Sequence, residues 1–390
     1  MLLENVIKLI QSKFKKNQAE VVSRFAQYFY GSISPEDLNH RAANDLYASV
    51  LSLWNFLNTG NRDDVCVRVF NPEFESHGWR SSHTVIELVH PDMPFLVDSV
   101  RMELNRLGLG IHLHIHLPIS IQRNSKNVIS SVELASENKE RANVTPMYLE
   151  IDRQLDQQEL DDIRENLERV LSDVRTAVND WTPMKDKLRT VIKRVEKSQS
   201  YISEEKRKET QAFLEWISGN HFTLLAYTSY DLKEQSGKTY LAPNKKSSLG
   251  LATMKLWEPK KYSLSDLPKG AQRLILDSNT LLVLTKLSAI STVHRPAHVD
   301  YIGVKRFDEK GNVIGEDRFL GLYTSAAYNV NPMSIPVLRE KIQAVLDNSG
   351  LPDGSHDAKV LRNILETYPR DELFQINISD LLSTAVGVMH

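Results

Sequence analysis

The spacing of apolar residues along the chain changes from three and four to two, and later returns to three and four. In the first sixty residues the spacing is helical, and the second of two predicted helices has Ser34 as N-cap, Pro35 in its first turn and Asp37 completing a capping-box-like pair. From Val65 the period shortens to two, which indicates strands. The helical positions are Val6, Ile7, Ile10, Phe14, Val22, Phe25, Phe29, Leu38, Ala42, Leu46, Val50, Leu53 and Leu57.

An α/β unit follows this change of period. The pattern predicts a strand at 84–89, a helix at 94–107, a strand at 111–121, a hairpin through 128–134 and 147–151, and a second helix from Asp156. The first of these helices ends at Gly108, the residue type best suited to a left-handed C-cap. This order predicts a two-layer α+β sandwich with helices on one face of a largely antiparallel sheet.

The second half of the chain is rich in predicted strands and ends in helices. A polar helical bridge at about 183–208 precedes strands at 222–230, 281–287, 299–307 and 313–322. Gly311 lies between the last two strands and can supply the positive φ of a hairpin loop. Helices are predicted at 337–348, 357–368 and from near Ser379. Because its apolar stripe runs up to His390, we expect the last helix to continue in a longer protein.

Composition and charge narrow the class of protein. With 41% hydrophobic and 25% charged residues, the chain is an ordinary globular sequence. The single cysteine, Cys66, favours a reducing compartment, and we expect a cytoplasmic protein. The N-terminal charges do not suit a signal peptide, and we expect no membrane association. A formal net charge of -2 leaves no positive excess for nucleic acid, so no nucleic-acid partner is expected.

The short motifs of common enzyme classes are missing from the sequence. Gly108-Leu-Gly110 resembles the start of a dinucleotide fingerprint, but it follows a predicted helix and has Leu113 in place of the third glycine. Gly237-Lys238-Thr239 ends like a P-loop, although Leu232 occupies the position of its first glycine. We therefore predict no catalytic residues and no cofactor in this chain.

Three histidines alternate along one predicted strand. His112, His114 and His116 would point to one face of a regular strand, where their imidazoles could share a zinc ion. The placement of completing carboxylates cannot be read from the sequence, and an edge strand accommodates histidines readily. A metal-dependent hydrolase centred on these residues is therefore a minor alternative, beside the main expectation of no metal.

The turn His90-Pro-Asp-Met-Pro94 joins a predicted strand to a predicted helix. Free backbone N–H groups and the positive end of the helix dipole could receive the carboxylate of a small effector there. We predict an effector site formed by Pro91, Asp92, Met93 and Asp98. The alternative is that Asp92 simply caps the helix.

Several longer stretches resemble the N-terminal region of the large bacterial NAD-specific glutamate dehydrogenases. They are residues 92–100 (DMPFLVDSV), 294–296 (HRP), 300–307 (DYIGVKRF), 318–325 (RFLGLYTS) and 368–375 (YPRDELFQ). They occur in the family's order and span most of the chain beyond residue 80. One departure is His116-Leu-Pro118, where the family leads us to expect a His-Pro pair, which puts any transferred role of His116 in doubt.

The resemblance implies a domain organisation. It suggests a helical segment at 1–62, an ACT-like domain at 63–180, a helical connector at 181–219, a strand-rich ACT/PAS-like domain at 220–333 and a helical segment at 334–390. In such a family a C-terminal dehydrogenase core, absent here, uses NAD to oxidise glutamate. The resemblance therefore implies a regulatory or oligomerisation segment, inactive alone. Its expected partners are its own catalytic core, further copies of the chain and an amino-acid effector. The main alternative is a purely structural interaction module without a ligand.

Overall fold

A computed structural model describes residues 2–31, 33–38, 41–59, 65–135, 142–197 and 202–389. By its contacts the chain forms two compact units. Unit 1 comprises the chain up to Arg175 together with Thr292–Arg295, and unit 2 comprises Thr176–Ser291 and the chain from Pro296. The five-part division predicted from the sequence stays a prediction.

Unit 1 begins with a layer of helices. They are α1 Leu2–Lys13, α2 Lys16–Gly31, α3 Pro35–Leu38 and α4 Ala43–Thr59. The sequence pattern predicted two helices because the apolar stripe continues across the break after Lys13, where no glycine or proline marks an end. Ser34 precedes α3 as expected, with its Oγ 3.4 Å from the Glu36 amide. The predicted contacts of the Pro35 and Asp37 side chains lie outside the described residues.

The remaining elements of unit 1 form an antiparallel sheet with helices. They are β1 Cys66–Phe70, α5 Phe74–His77, β2 Thr84–His90, α6 Leu96–Arg106, β3 Ile111–His116, β4 Ile119–Arg123, β5 Ile129–Leu134, β6 Thr145–Ile151 and α7 Gln157–Asn179, the last of which continues into unit 2. The sheet order is β1-β2-β6-β3. The predicted α+β class is therefore confirmed. Within the main sheet, β2, α6, β3, β6 and α7 follow one another in the order βαββα. Gly108 follows the end of α6 with the expected left-handed backbone (φ 74°).

One predicted pairing in unit 1 was wrong. The hairpin through 128–134 and 147–151 does not form: β5 pairs instead with β4 in a separate two-stranded sheet, whereas β6 lies between β2 and β3. The predicted strand 111–121 is divided at Leu117-Pro118. Proline cannot donate to a strand ladder, which explains why the chain leaves the main sheet at this point.

The main sheet of unit 1 is buried on both faces. Val85, Val89 and Tyr148 share an apolar core with helices α1, α2 and α4. Because successive side chains alternate, Ile86 and Leu88 lie on the other face, and they are buried as well. The apolar stripes of α6 and α7 are buried as well.

Unit 2 is built on a seven-stranded antiparallel sheet. Its strands are β7 Phe222–Gln235, β8 Lys238–Pro243, β9 Leu249–Gly250, β10 Tyr262–Ser263, β11 Leu282–Ile290, β12 His298–Phe307 and β13 Val313–Tyr323. The order is β10-β8-β7-β13-β12-β11, and β9 pairs with β7. The predicted hairpin of β12 and β13 is confirmed, with Gly311 at φ 83° and its amide donating to Asp308.

Helices pack on both faces of the unit 2 sheet. They are α8 Trp181–Lys197, α9 Glu204–Trp216, α10 Lys269–Leu276, α11 Ser325–Asn329, α12 Leu338–Asn348, α13 His356–Thr367, α14 Arg370–Gln375 and α15 Ile378–Met389. All except α10 contribute residues to the core of one face, whereas α10 lies on the other face, where Lys305 Nζ donates to the carbonyl of Leu274. One apolar core joins the strand residues Tyr227, Ile302 and Phe319 to residues of α8, α9, α12, α13 and α15. Within the described residues, none of the helices combines the length and apolar content needed to cross a bilayer.

Candidate functional site

The predicted effector turn joins β2 to α6. Helix α6 begins at Leu96, and Phe95 before it adopts a left-handed conformation with φ 72°. The first intrahelical bond is donated by the Ser99 amide to the Phe95 carbonyl over 3.0 Å. Left-handed backbone is costly for a residue with a side chain and persists only where the surroundings hold it. The surrounding residues of unit 1 therefore hold this turn in its conformation.

Asp92 does not cap α6. Its Oδ1 accepts a hydrogen bond of 2.6 Å from the Thr145 hydroxyl at the start of β6. Pro94 and Phe95 form an additional turn, so the helix begins four residues after Asp92, too far for a capping bond to its first amides. The capping alternative was thus wrong, and Asp92 instead ties the turn to the sheet.

Asp98 lies in the first turn of α6 and is exposed. Its Oδ2 is 3.4 Å from Nδ1 of His294, which belongs to the Thr292–Arg295 segment of unit 1. The His294 amide donates to Ser99 Oγ over 3.0 Å, and its ring centroid is 4.9 Å from that of Phe95. A carboxylate in this position is favoured by the helix dipole.

A buried carboxylate fixes the same segment. Thr292 donates a hydrogen bond of 2.7 Å from Oγ1 to Oδ2 of Asp173, whose residue is 2% exposed. Burial raises the pKa of Asp173, and the bond from Thr292 opposes that rise. Thr292 and His294 thus attach four residues from a distant part of the sequence to unit 1.

Three histidines on β2 and β3 have lowered pKa values. His90 is fully buried, and burial lowers its pKa, while its Nδ1 lies 2.7 Å from the Pro91 carbonyl oxygen. Burial lowers the pKa of His114 to about 4, with His116 and Arg101 acting in the same direction. The pKa of His116 is lowered by burial too, and Asp92 opposes the shift. These imidazoles are therefore held neutral near pH 7.

His112 is separated from the other two histidines of β3. The pairing register of β3 with β6 shifts between Ile111 and Leu113, so a bulge at His112 interrupts the alternation of the strand. His112 Nε2 lies 2.7 Å from Oδ1 of Asp152, and its ring is 4.3 Å from that of His83. The prediction that all three side chains share one face was wrong.

The arrangement of His112, His114 and His116 does not support the alternative of a metal-dependent hydrolase. In the parts of the chain that the structure describes, no group of three or more histidine, cysteine or acidic side chains is placed to hold a metal ion. His114 and His116 remain neighbours, but Asp92, whose charge raises the pKa of His116, accepts a hydrogen bond from Thr145.

The structure brings together some predicted effector residues and adds others. Pro91 and Met93 are half-buried, whereas Asp92 and Asp98 are exposed. Thr145, Ser99 and His294 are the added residues, which no sequence pattern assigned to this turn. His294 was present in one of the stretches that carry the family resemblance, which was the available signal for it.

The turn combines two kinds of binding group. The carboxylates of Asp92 and Asp98 can accept from a cation, and the backbone N–H groups of the first turn of α6, ahead of the bond from Ser99, can donate to an anion. These are the groups required by a small zwitterion.

Two family models match the chain. Residues 25–167 match the ACT1 domain of glutamate dehydrogenase, and residues 335–390 match helical motif 1 of glutamate dehydrogenase. The first match contains the whole β2–α6 turn and the main sheet of unit 1, and the second contains α12 to α15.

Curated relatives match over nearly the whole chain. The chain is 37% identical to an NAD-specific glutamate dehydrogenase of Halomonas elongata over 100% of its own length and 24% of the relative's. It is 38% identical to the Pseudomonas aeruginosa protein of the same name, over 94% of the chain and 23% of the relative. It is 25% identical to the Mycobacterium tuberculosis protein of that name, over 75% of the chain and 17% of the relative.

The chain therefore spans about a quarter of the length of its first two relatives. These matches confirm the resemblance found in the sequence: the chain belongs to the N-terminal region of the large bacterial NAD-specific glutamate dehydrogenase family.

Proposed function

We propose that the chain is the N-terminal regulatory and oligomerisation segment of a cytoplasmic NAD-dependent glutamate dehydrogenase. In this proposal a C-terminal core outside the chain converts L-glutamate, NAD and water to 2-oxoglutarate, ammonium and NADH. The observation that carries the proposal is the match of the entire chain to a quarter of a protein with that name, including its ACT1 domain. The partners would be that core and further copies of the chain.

We further propose that the β2–α6 turn contacts an amino-acid effector. The carboxylates of Asp92 and Asp98 would accept from its ammonium group, and the first amides of α6 would donate to its carboxylate. Pro91 and Met93, both half-buried, would border its side chain. Support comes from the left-handed Phe95, because such backbone is commonly retained at functional sites.

A thermal-shift panel of the twenty amino acids tests the effector proposal. A ligand at one hundred times its Kd should stabilise the chain by about 2.7 kcal/mol. Asp98→Asn should reduce this shift, and Asp162→Asn, at an exposed position of α7, is the matched control. The effector proposal is lost if no amino acid shifts the unfolding midpoint, or if both variants behave alike.

Deletion in a full-length relative tests the regulatory role. The corresponding segment of the Halomonas elongata protein can be removed, since the chain matches it over its whole length. We expect glutamate oxidation, the response to amino acids or the oligomeric state to change. If all three stayed unchanged, the regulatory and oligomerisation roles would both be rejected.

A structural module without a ligand is the second candidate. It is favoured by the pairing of polar groups at the turn with groups of the same chain, Asp92 with Thr145 and Asp98 with His294. An unchanged thermal midpoint with every amino acid, together with a changed oligomeric state after deletion, would select this candidate.

A further inference from the structure

The second face of the unit 2 sheet carries a cavity. The strand registers place Thr228, Arg318 and Gly303 side by side, next to a row containing Leu320 and Tyr301. These residues alternate with Phe319 and Ile302, which belong to the helix-covered core, so they lie on the opposite face. A loop containing Leu256, Trp257 and Pro259 borders a space of about 380 Å³ there.

An arginine lies between two tyrosines in this cavity. The Arg318 guanidinium carbon is 3.8 Å from the ring centroid of Tyr230 and 5.3 Å from that of Tyr301. Its Nε donates to Glu316 Oε1 over 2.9 Å, and the Tyr301 hydroxyl donates to the same oxygen. Four of the five guanidinium N–H donors belong to the two Nη atoms, which form the fork that recognises acceptors in one plane.

Gly303 leaves room for the side chains of Glu316 and Tyr301 because it has no side chain of its own. A Cβ there would lie 2.7 Å from Glu316 Oε1 and 2.9 Å from Tyr301 Cε1. Trp257 lines the same cavity, and its indole Nε1 is buried with no hydrogen-bond partner in the described parts of the chain. A buried donor without a partner is costly, and a ligand acceptor would remove that cost.

A lysine-rich groove adjoins the cavity and shares Glu258, Pro259 and Lys260 with it. The groove is lined by Lys233, Lys245, Lys246, Lys260 and Lys261. Two carboxylates, Asp231 and Glu258, line it as well, which leaves three positive charges in excess. Such an excess on one wall favours a ligand with several negative charges.

We propose that this cavity and groove together bind a purine nucleotide. The base lies among Tyr230, Tyr262 and Tyr301, because aromatic faces and arginine planes stack well on bases. The Nη donors of Arg318 face N7, an acceptor that both purines carry. The phosphates lie on the lysines of the groove. Residues 300–307 and 318–325, two of the stretches that carry the family resemblance, supply Tyr301, Gly303 and Arg318.

Titration calorimetry of the 390-residue chain tests the proposal with ATP, adenosine, inorganic tripolyphosphate and CTP as probes. Since the two halves of a linked ligand reinforce each other, we expect ATP to bind at least about tenfold more tightly than adenosine or tripolyphosphate. CTP should bind more weakly than ATP. Equal affinity for ATP and tripolyphosphate, equal affinity for ATP and CTP, or no binding at millimolar ATP would each overturn the proposal.

Variants separate the two halves of the site. Tyr262→Ala, at a partly exposed position of the rim, should weaken ATP binding roughly tenfold through lost stacking and leave tripolyphosphate binding unchanged. Lys246→Gln with Lys260→Gln should weaken both ligands and flatten the salt dependence. Lys359→Gln, on the exposed side of α13, is the control and should change neither.

Arg318→Gln leaves the buried Glu316 with the Tyr301 hydroxyl but without its positively charged partner. The substitution is therefore made both alone and together with Glu316→Gln. Both folded proteins should lose the preference for ATP over CTP; retention of that preference in the double variant contradicts the role of Arg318. The proposal does not depend on the amino-acid effector, because its residues lie in unit 2 and those of the effector turn in unit 1. Amino acids and nucleotides are tested separately, so either can fail alone.

Discussion

The sheets of the two units hold buried charge in different ways. In unit 1, Glu150 is fully buried and is held by Nη1 and Nη2 of Arg41, at 2.5 and 2.7 Å, from a part of the chain 109 residues away. In unit 2, Glu316 and Arg318 are two residues apart on β13, and both are largely buried. The first pair joins the helical layer to the sheet. The second presents its arginine to a cavity.

The difference shows how similar ion pairs can serve different purposes. A buried carboxylate requires a partner wherever it lies, because an unpaired buried charge is strongly destabilising. A partner that arrives from another layer also fixes the position of that layer. A partner on the same strand fixes nothing at long range, so its remaining donors can serve a ligand.

The largest effect should come from breaking the unit 1 pair. Arg41→Ala leaves Glu150 with the Tyr148 hydroxyl, which is 3.0 Å away, and His83, and we expect a loss of about 3–5 kcal/mol in the free energy of unfolding. Urea unfolding measures it. Arg24→Ala breaks the exposed pair with Glu133 and should cost less than about 1 kcal/mol. If the two variants lost the same free energy of unfolding, the pair of Arg41 with Glu150 would contribute no more to stability than an exposed pair.

Filling the space beside the unit 2 pair should have a smaller effect. Gly303→Ala places a methyl group against Glu316 and Tyr301 and should destabilise the chain by about 1–3 kcal/mol through overpacking. Gly270→Ala in α10 meets no atom within 4 Å and serves as the control, with an expected gain of up to about 1 kcal/mol. A neutral Gly303→Ala would show that the cavity wall is loosely packed.

Unit 2 should gain stability in mild alkali. Lys305 is 1% exposed, its Nζ donates to the carbonyls of Leu274 and Asp277, and burial lowers its pKa from 10.5 to about 8. Between these values the unfolded chain binds more protons than the folded one, so stability rises with pH. From pH 8 to 9.5 we expect a gain of up to about 2 kcal/mol. Burial also lowers the pKa of Lys341 to about 8, so this residue adds to the gain in stability.

Chemical unfolding at several pH values measures this gain. Lys305→Met should remove the part due to Lys305 and keep the part due to Lys341. If the free energy of unfolding rose with pH as steeply in Lys305→Met as in the unchanged chain, Lys305 would not be the source of the gain.

Unit 1 should lose stability in mild acid by a smaller amount. The pKa of His114 is lowered from 6.5 to about 4, and only the unfolded chain is protonated between these values, so stability falls as the pH decreases through that range. Because His114 is partly exposed, we expect about 1 kcal/mol from this residue. His114→Gln should reduce the acid slope measured by urea unfolding, and an identical slope would refute the assignment.

Much of the fold could be predicted from the sequence, because its strongest signals are local. The hairpin of β12 and β13 was predicted from alternation and Gly311, and the end of α6 from Gly108. The break between α1 and α2 was missed because the apolar stripe continues across it. The pairing of β5 with β4 was missed because it depends on the exit of the chain from the main sheet at Pro118.

The candidate sites were less accessible to sequence reasoning. The turn at Asp92 was located from its place between a strand and a helix, but its contacts with Thr145 and His294 join positions 53 and about two hundred residues apart. The bulge at His112 depends on a register that no local pattern specifies. The cavity on the second face of the unit 2 sheet combines residues of five strands and a loop, and no local pattern indicates that these segments meet.

The segment Thr292–Arg295 affects how this protein can be divided. Its four residues belong to unit 1, although the chain on both sides of them belongs to unit 2. A shortened protein ending at Arg175 would lack Thr292 and His294, and would leave the buried Asp173 carboxylate without its hydroxyl donor. No single cut in the chain therefore yields two complete halves, and mutations in residues 292–295 should be interpreted as changes to unit 1.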